Sequence, residues 1–417
     1  MAQRSVLGVG IVCAGFIGEF HVRSWTGVRD GDVVAVASRT SDSASRLAAV
    51  AEEIGVGVDV AVHDDVRALV RDERVDAVWV LTPNDTRLEV IRAIVEEVRA
   101  GAALTGIAIE KPLGRTVAEA REILQLVESV DLLHAYLENQ VYSPAITRAH
   151  DLVWRRGASE AGTPYLARCA EEHSGPHKAW FWDGAKQGGG VLSDMMCHSV
   201  EAGRFLLTPP GVDPADWLRP VSVSASIQSL KWGRPAYADK LMQLYPGAPD
   251  YRVRPSEDYA RAAWEFVNGD GETVIAEGTT SWSYVGAGLR LSFELLGPEY
   301  SMQSDTLQTE SKVFLSRELG QQQGEDMLEK QNAEQGLMPI VSDEAVSYGY
   351  TGENRHVAGC FLRGEQPLES LHNGLAVVEL IMAAYQSAQT GQTVHWPVEL
   401  DGFTPDVAQG DWNPRAR

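Results

Sequence analysis

The stretch VLGVGIVCAGFIG, residues 6–18, leads from an apolar run into a glycine-containing turn and then into a helix-like segment. An apolar run of this length, closed by a turn, suits a strand covered on both faces. The turn Cys13-Ala14-Gly15-Phe16-Ile17-Gly18 carries two of the three glycines of the dinucleotide spacing G-x-G-x-x-G, with Cys13 in the first place. In that arrangement Gly15 lets backbone approach a pyrophosphate and Gly18 lets helix pack on strand, while the helix N-terminus attracts the anion. Phe16 and Ile17 belong to the same cofactor-binding turn. The alternative is a generic glycine turn.

Outward from this turn, strands are expected at Val33–Ala37, Asp76–Leu81 and Gly106–Ile109, with a further segment at Asp131–Tyr136. Helical patterns at Ser43–Ile54, Leu88–Ala100 and Val117–Val130 separate them, which indicates βαβ units and a parallel sheet. After about residue 136 the pattern changes. Tyr165–Glu171, Val221–Leu230, Thr273–Trp282 and Leu289–Leu296 are long, and in the last Leu289, Leu291, Phe293 and Leu295 alternate with Arg290, Ser292 and Glu294. Such alternation suits an antiparallel sheet with one covered face. A helix near Asn373–Gln389 closes this region. Lys231–Tyr259 and Gly320–Gln335 read as insertions, either loops or short helices. The expectation is an α/β Rossmann domain over residues 1–135, followed by an α+β domain with a largely antiparallel open sheet over 136–417.

The chain has 417 residues, with 58 acidic against 36 basic and a net charge of −22. Such a surface repels phosphate backbones, so nucleic acid and anionic membranes are excluded as partners. No apolar stretch is long enough to span a bilayer, and no signal-peptide pattern follows Met1. The four cysteines form no CxxC pair, which argues against a disulfide framework or a zinc ribbon. These features predict a soluble, reduced, cytoplasmic protein.

Four further motifs carry chemistry. Ser38-Arg39 ends the second strand, where a carboxylate would hold a ribose hydroxyl and select NAD. A guanidinium there accepts a 2′-phosphate or stacks on adenine, so both NAD and NADP stay open. Thr82-Pro83-Asn84 and Glu110-Lys111-Pro112-Leu113-Gly114 follow the next strands at their carboxyl ends, where open α/β sheets bind ligands. Gly188-Gly189-Gly190 leads to Asp194 and His198, four residues apart and so on one helical face, a general base with a carboxylate partner or a capped core histidine. The segment Glu171 to Trp182 offers His173, His177, Trp180 and Trp182. Its indoles suit either the faces of a sugar ring or an aromatic core. Pro176 breaks the helical pairing of the two histidines, and no metal is expected.

Taken together, the glycine turn, the TPN and EKP motifs and GGG-x₃-D-x₃-H resemble the Gfo/Idh/MocA oxidoreductases from Val6 to about Val394. The resemblance implies a Rossmann domain joined to an open-sheet domain, with Lys111, Asp194 and His198 as the catalytic set. It implies cofactor binding by Gly15, Phe16, Ile17, Gly18, Ser38, Arg39, Thr82, Pro83, Asn84, Glu110 and Lys111. Glu138, Asn139, His173, Trp180 and Trp182 are expected at the substrate, with Tyr136 beside the nicotinamide. The implied reaction is NAD(P)-dependent hydride transfer at a secondary hydroxyl of a sugar, glycoside or cyclitol, with C3 the most concrete position. A homo-oligomer through the C-terminal sheet is also implied. Relatives suggest alternatives: a glycoside-cleaving enzyme that oxidises its sugar transiently, a non-catalytic sensor, and a bilin or imine reductase. Cys13 departs from the family's usual first glycine. Arg87 stands where the family often has histidine.

Overall fold

The structure is a computed structural model that describes residues 6–309, 312–315, 336–339 and 343–414. The run Leu7–Val12 forms β1 and is buried throughout. Around it lie β2 (Gly31–Ala37), β3 (Ala61–His63), β4 (Ala77–Val80), β5 (Gly106–Glu110) and β6 (Leu133–Leu137) in the order β3-β2-β1-β4-β5-β6. All five pairings are parallel, so the strand order reverses between β1 and β4. The reversal opens the crevice at the carboxyl ends of those strands where nucleotides bind. The short edge strand β3 has no counterpart among the sequence-based expectations.

The chain divides into two compact units, residues 1–144 with 348–378 and residues 145–347 with 379–417. The return segment Tyr348–Val378, expected in the second domain, therefore belongs to the first. Its aromatic and polar groups explain why. Phe361 packs edge-on against Trp79, which packs edge-on against Trp25. Asn354 accepts the Trp79 indole N–H at 2.9 Å. The helix Leu371–Thr390, expected to close the second domain, contributes its first residues to one unit and its last to the other.

In the second unit β7 (Leu166–Glu172), β8 (Arg219–Gln228), β9 (Tyr259–Val267), β10 (Thr273–Ser281), β11 (Arg290–Gly297) and β12 (Tyr300–Asp305) form one sheet, edged by Val394–His395. The order is β12-β11-β7-β10-β9-β8, and only β7–β10 is parallel. The expected alternation holds: Leu291, Phe293 and Leu295 are buried while Arg290, Ser292 and Glu294 are partly open. The helix Val191–Leu206 covers the buried face. Gly203 faces Ala276 so closely that an added Cβ would lie 3.1 Å from the alanine methyl. Of the two insertions, 231–259 contains the helix Pro235–Leu244 and 320–335 lies outside the described residues. Asp258 holds the start of the first insertion, accepting from the backbone N–H groups of Leu230, Lys231 and Trp232 at 2.6–2.8 Å.

Cys13 has a φ of 91°, in the left-handed region that only glycine enters without strain. Replacing it with glycine removes a strain of about 1–3 kcal/mol against a smaller entropic cost. Chemical denaturation of Cys13→Gly should show the variant about 1 kcal/mol more stable than wild type. A loss of stability would contradict the assigned strain.

Candidate active site

At the mouth of β1, Gly15 is the N-cap of the helix Phe16–Ser24, and no side chain caps that terminus. Gly15 and Phe16 are exposed, whereas Gly18 is buried, with the Cys13 carbonyl only 2.3 Å from where a Cβ would sit. Thus Gly18 allows the helix to close on the turn, and the first-turn backbone faces outward. Ser38 Oγ accepts from Ala14 N–H at 3.2 Å and ties the turn to the end of β2, while Arg39 is exposed beside it. Thr82 Oγ1, at the end of β4, is buried without a hydrogen-bond partner. An open helix terminus, a close-packed glycine turn and an orphaned hydroxyl at the switch point together fit a dinucleotide.

The helix that follows β4 begins at Asn84, four residues earlier than its apolar pattern indicates. Arg87 in its first turn is 2 % exposed. Its guanidinium donates to the carbonyls of Thr82 (2.9 Å) and Pro112 and to Asn84 Oδ1 (3.1 Å). One cation therefore holds the TPN turn against the EKP turn, a task for a planar multi-donor fork. Glu110, at the end of β5, is buried and committed at both oxygens: Oε1 lies 3.2 Å from His21 Nε2, and Oε2 accepts the Lys111 backbone N–H at 2.8 Å. Burial pushes its carboxyl up. The His21 hydrogen bond and the charges of His21, Lys111 and Arg87 outweigh that and hold it below the ordinary carboxylate range.

In the second unit the three-glycine segment is explained by what approaches it. A Cβ on Gly189 would meet Tyr385 Oη at 2.0 Å, and one on Gly190 would meet the Glu257 carbonyl at 2.5 Å. Through that space Glu257 Oε1 accepts from the backbone N–H groups of Gly190 and Leu192, each at 3.0 Å, and from Tyr385 O–H at 2.5 Å. Tyr385 Oη in turn accepts from Gly190 and Ser193 N–H. A carboxylate and a phenol from distant parts of the chain thus cap the helix Val191–Leu206 in place of a local side chain. On that helix Asp194 Oδ2 accepts the Trp282 indole N–H at 3.3 Å, and His198 Nε2 lies 3.9 Å from Glu171 Oε2. Asp194 and His198 are both under 5 % exposed.

Most of the other expected site residues are buried. Asn139 gives its amide N–H to the Tyr348 carbonyl at 2.7 Å, and Glu138 caps Gln140 N–H at 3.3 Å. Tyr136 is fully buried, its backbone N–H on the Glu369 carbonyl. His173 is also fully buried, its Nδ1 accepting from Gly175 N–H, so in the neutral ring the proton sits on Nε2. Trp182, at 1 % exposure, is a core residue enclosed by Trp232, Tyr251 and Trp282 with ring centroids 5.0–5.6 Å away. That enclosure removes it from direct sugar stacking. Trp180 is half-buried and stacks on Phe181 at 3.8 Å. Sequence reading missed Glu171, Glu257, Trp282 and Tyr385. Only Glu171, two residues before His173, carried a local signal.

Residues 7–136 match the family described as an oxidoreductase family with an NAD-binding Rossmann fold, and residues 156–303 match the GFO/IDH/MocA C-terminal domain. The chain is 32% identical over 183 residues to a 1,5-anhydro-D-fructose reductase of Ensifer adhaerens, covering 43% of this chain and 50% of that one. To an inositol 2-dehydrogenase of Rhizobium meliloti (strain 1021) it is 29% identical over 220 residues, 52% of this chain and 57% of the other. The chain spans about half the length of the curated relatives it matches. The fold is shared with GenD2 from gentamicin A biosynthesis in complex with NAD (TM-score 0.74, 24% identity, 95% and 98% covered). A levoglucosan dehydrogenase complexed with NADH and levoglucosan also shares it (0.67, 18%, 94% and 99%).

Burial pushes the Glu257 carboxyl up to about 7, against the pull of Tyr385 and the helix N–H groups. A folded-state value above the unfolded one makes this residue's stabilising contribution complete below the ordinary carboxylate range. The contribution is lost as pH rises through about 7. Between pH 4.5 and 7 the unfolding free energy of wild type should therefore fall by about 3 kcal/mol relative to Glu257→Gln. Parallel denaturation curves for the two proteins across that range would refute it.

Proposed function

Because the chain belongs to the GFO/IDH/MocA family of oxidoreductases, we propose that it is an NAD(P)-dependent dehydrogenase acting on a secondary hydroxyl of a sugar, glycoside or cyclitol. What carries the reading is the buried helix Val191–Leu206, which presents Asp194 and His198 on one face, with the Trp282 indole N–H bonded to the first and the Glu171 carboxyl 3.9 Å from the second. The substrate class rests on what the relatives' names state, inositol 2-dehydrogenase and 1,5-anhydro-D-fructose reductase among them. Oxidation at C3 of a pyranose or glycoside is the specific form of the proposal.

When bound, the nicotinamide supplies the acceptor for the carbinol hydride. The chain's own groups manage the oxygen. His198 takes the hydroxyl proton, Lys111 donates a hydrogen bond to the developing carbonyl oxygen, and Asp194, fixed by Trp282, orients the substrate. The products are the ketone, the reduced dinucleotide and one proton. Arg87 and Glu110 act indirectly, by fixing the EKP turn that carries Lys111, Arg87 against the neighbouring TPN turn and Glu110 through the Lys111 backbone.

Sugars, glycosides and cyclitols should be screened with each cofactor by following absorbance of the reduced nicotinamide. With the best substrate, Lys111→Ala and His198→Ala are expected to lower kcat by about 10²–10⁴ while keeping dinucleotide affinity. Near-normal kcat in both variants would eliminate the proposed set. For cofactor choice, the exposed guanidinium of Arg39 beside Ser38 supports acceptance of NADP as well as NAD. Arg39→Ala should then weaken NADP about tenfold while sparing NAD. Equal losses for both, measured by fluorescence titration, would assign Arg39 to adenine stacking.

A further inference from the structure

Beneath the EKP turn lies a buried line of polar side chains. Trp79 Nε1 is a donor only, so the Asn354 atom 2.9 Å from it is the amide oxygen. The same residue's Nδ2 donates to Ser24 Oγ at 2.7 Å, and that hydroxyl donates onward to the His21 carbonyl at 2.7 Å. Asn354 Oδ1 also lies 3.1 Å from His21 Nδ1, and an oxygen that only accepts requires that this nitrogen donate. The other ring nitrogen, Nε2, is 3.2 Å from Glu110 Oε1. Glu110 Oε2 then accepts the backbone N–H of Lys111. His21, Asn354 and Ser24 are at most 2 % exposed and Glu110 is 5 % exposed.

We propose that Asn354, His21 and Glu110 form a positioning relay for Lys111: they hold one ionised carboxylate directly under the turn from which the lysine projects. This rests on the reading of Lys111 as a catalytic group. The motif alone would assign Glu110 to the cofactor, but both of its oxygens are taken by His21 and the Lys111 backbone. Nearby charge supports the assignment. Glu353, the residue before Asn354, is fully buried with neither carboxyl oxygen hydrogen-bonded. Burial, with repulsion from Glu110, Glu138 and Glu369, pushes its carboxyl well above the ordinary range. A neutral acid beside Glu110 leaves the relay's negative charge on the carboxylate that touches the Lys111 backbone.

A double-mutant cycle in the full chain tests the relay, with kcat as the readout and dinucleotide affinity as the control. His21→Ala and the isosteric Glu110→Gln should each lower kcat at least tenfold when Lys111 is present. In a Lys111→Ala background the same changes should alter kcat less than twofold, because the step they support is already gone. Should His21→Ala fail to fold, Glu110→Gln, which keeps its shape and its acceptor for the Lys111 N–H, carries the measurement. Equal losses in both backgrounds would overturn the relay and leave the dehydrogenase reading standing. An unaltered kcat in Lys111→Ala alone would overturn the catalytic reading of the lysine and the relay with it.

Discussion

The first unit depends on the side-chain amide of Asn354, because three buried donors and acceptors from one strand and one helix meet on it. Leaving any one of them unpaired costs about 1–3 kcal/mol, a sizeable part of what holds a domain folded. Trp79 from β4 fixes its orientation, and His21 from the helix after the glycine turn and Ser24 one turn later on the same helix take their bonding direction from it. The cofactor turn, the central strand and the EKP turn are thereby registered against one point. Arg87 adds a second anchor of the same kind at the carboxyl edge, where its fork joins Thr82, Asn84 and Pro112.

In the second unit the comparable constraint is the amino end of the helix Val191–Leu206. Three glycines leave it without a side chain of its own, and that space is taken by Glu257 and Tyr385. A helix terminus favours negative charge, but burial disfavours it, and the balance leaves the Glu257 carboxyl near neutrality. Further along, the same helix sits close on the sheet, Gly203 against Ala276, and Asp194 and His198 are buried on it.

Much of this was legible in the chain. β1, β2, β4 and β5 announce themselves as apolar runs with glycine turns, and β11 by strict alternation, since both signals are local. β3 has only three residues, none of them fully buried, so no period can be read from it. The helix at Asn84 starts inside a motif that looks like a loop because of Pro83. Trp182 was ambiguous because an indole suits a core as well as a sugar. Only the packing of Trp232, Tyr251 and Trp282 around it resolves the choice. Glu257, Tyr385 and Asn354 act across 65 to 333 residues of chain, and nothing in a window around them reports a partner so far away. The extent of the first unit was only partly legible for the same reason. A break near residue 136 is visible, but the return of Tyr348–Val378 is written in donor and acceptor matching rather than in periodicity.

That return has a consequence for how the protein is made. His21 and Asn354 are 333 positions apart, and roughly 200 residues of the second unit intervene between the two pieces of the first. At translation rates of roughly 5–20 residues per second, the Rossmann strands leave the ribosome about 10–40 s before the helix that supplies Asn354 and Phe361. Throughout that interval Trp79 has neither its amide acceptor nor its aromatic cover. Strands β7 to β12 of the second unit are synthesised within the wait, and that unit is in turn completed by residues 379–417, after the first has received its last helix.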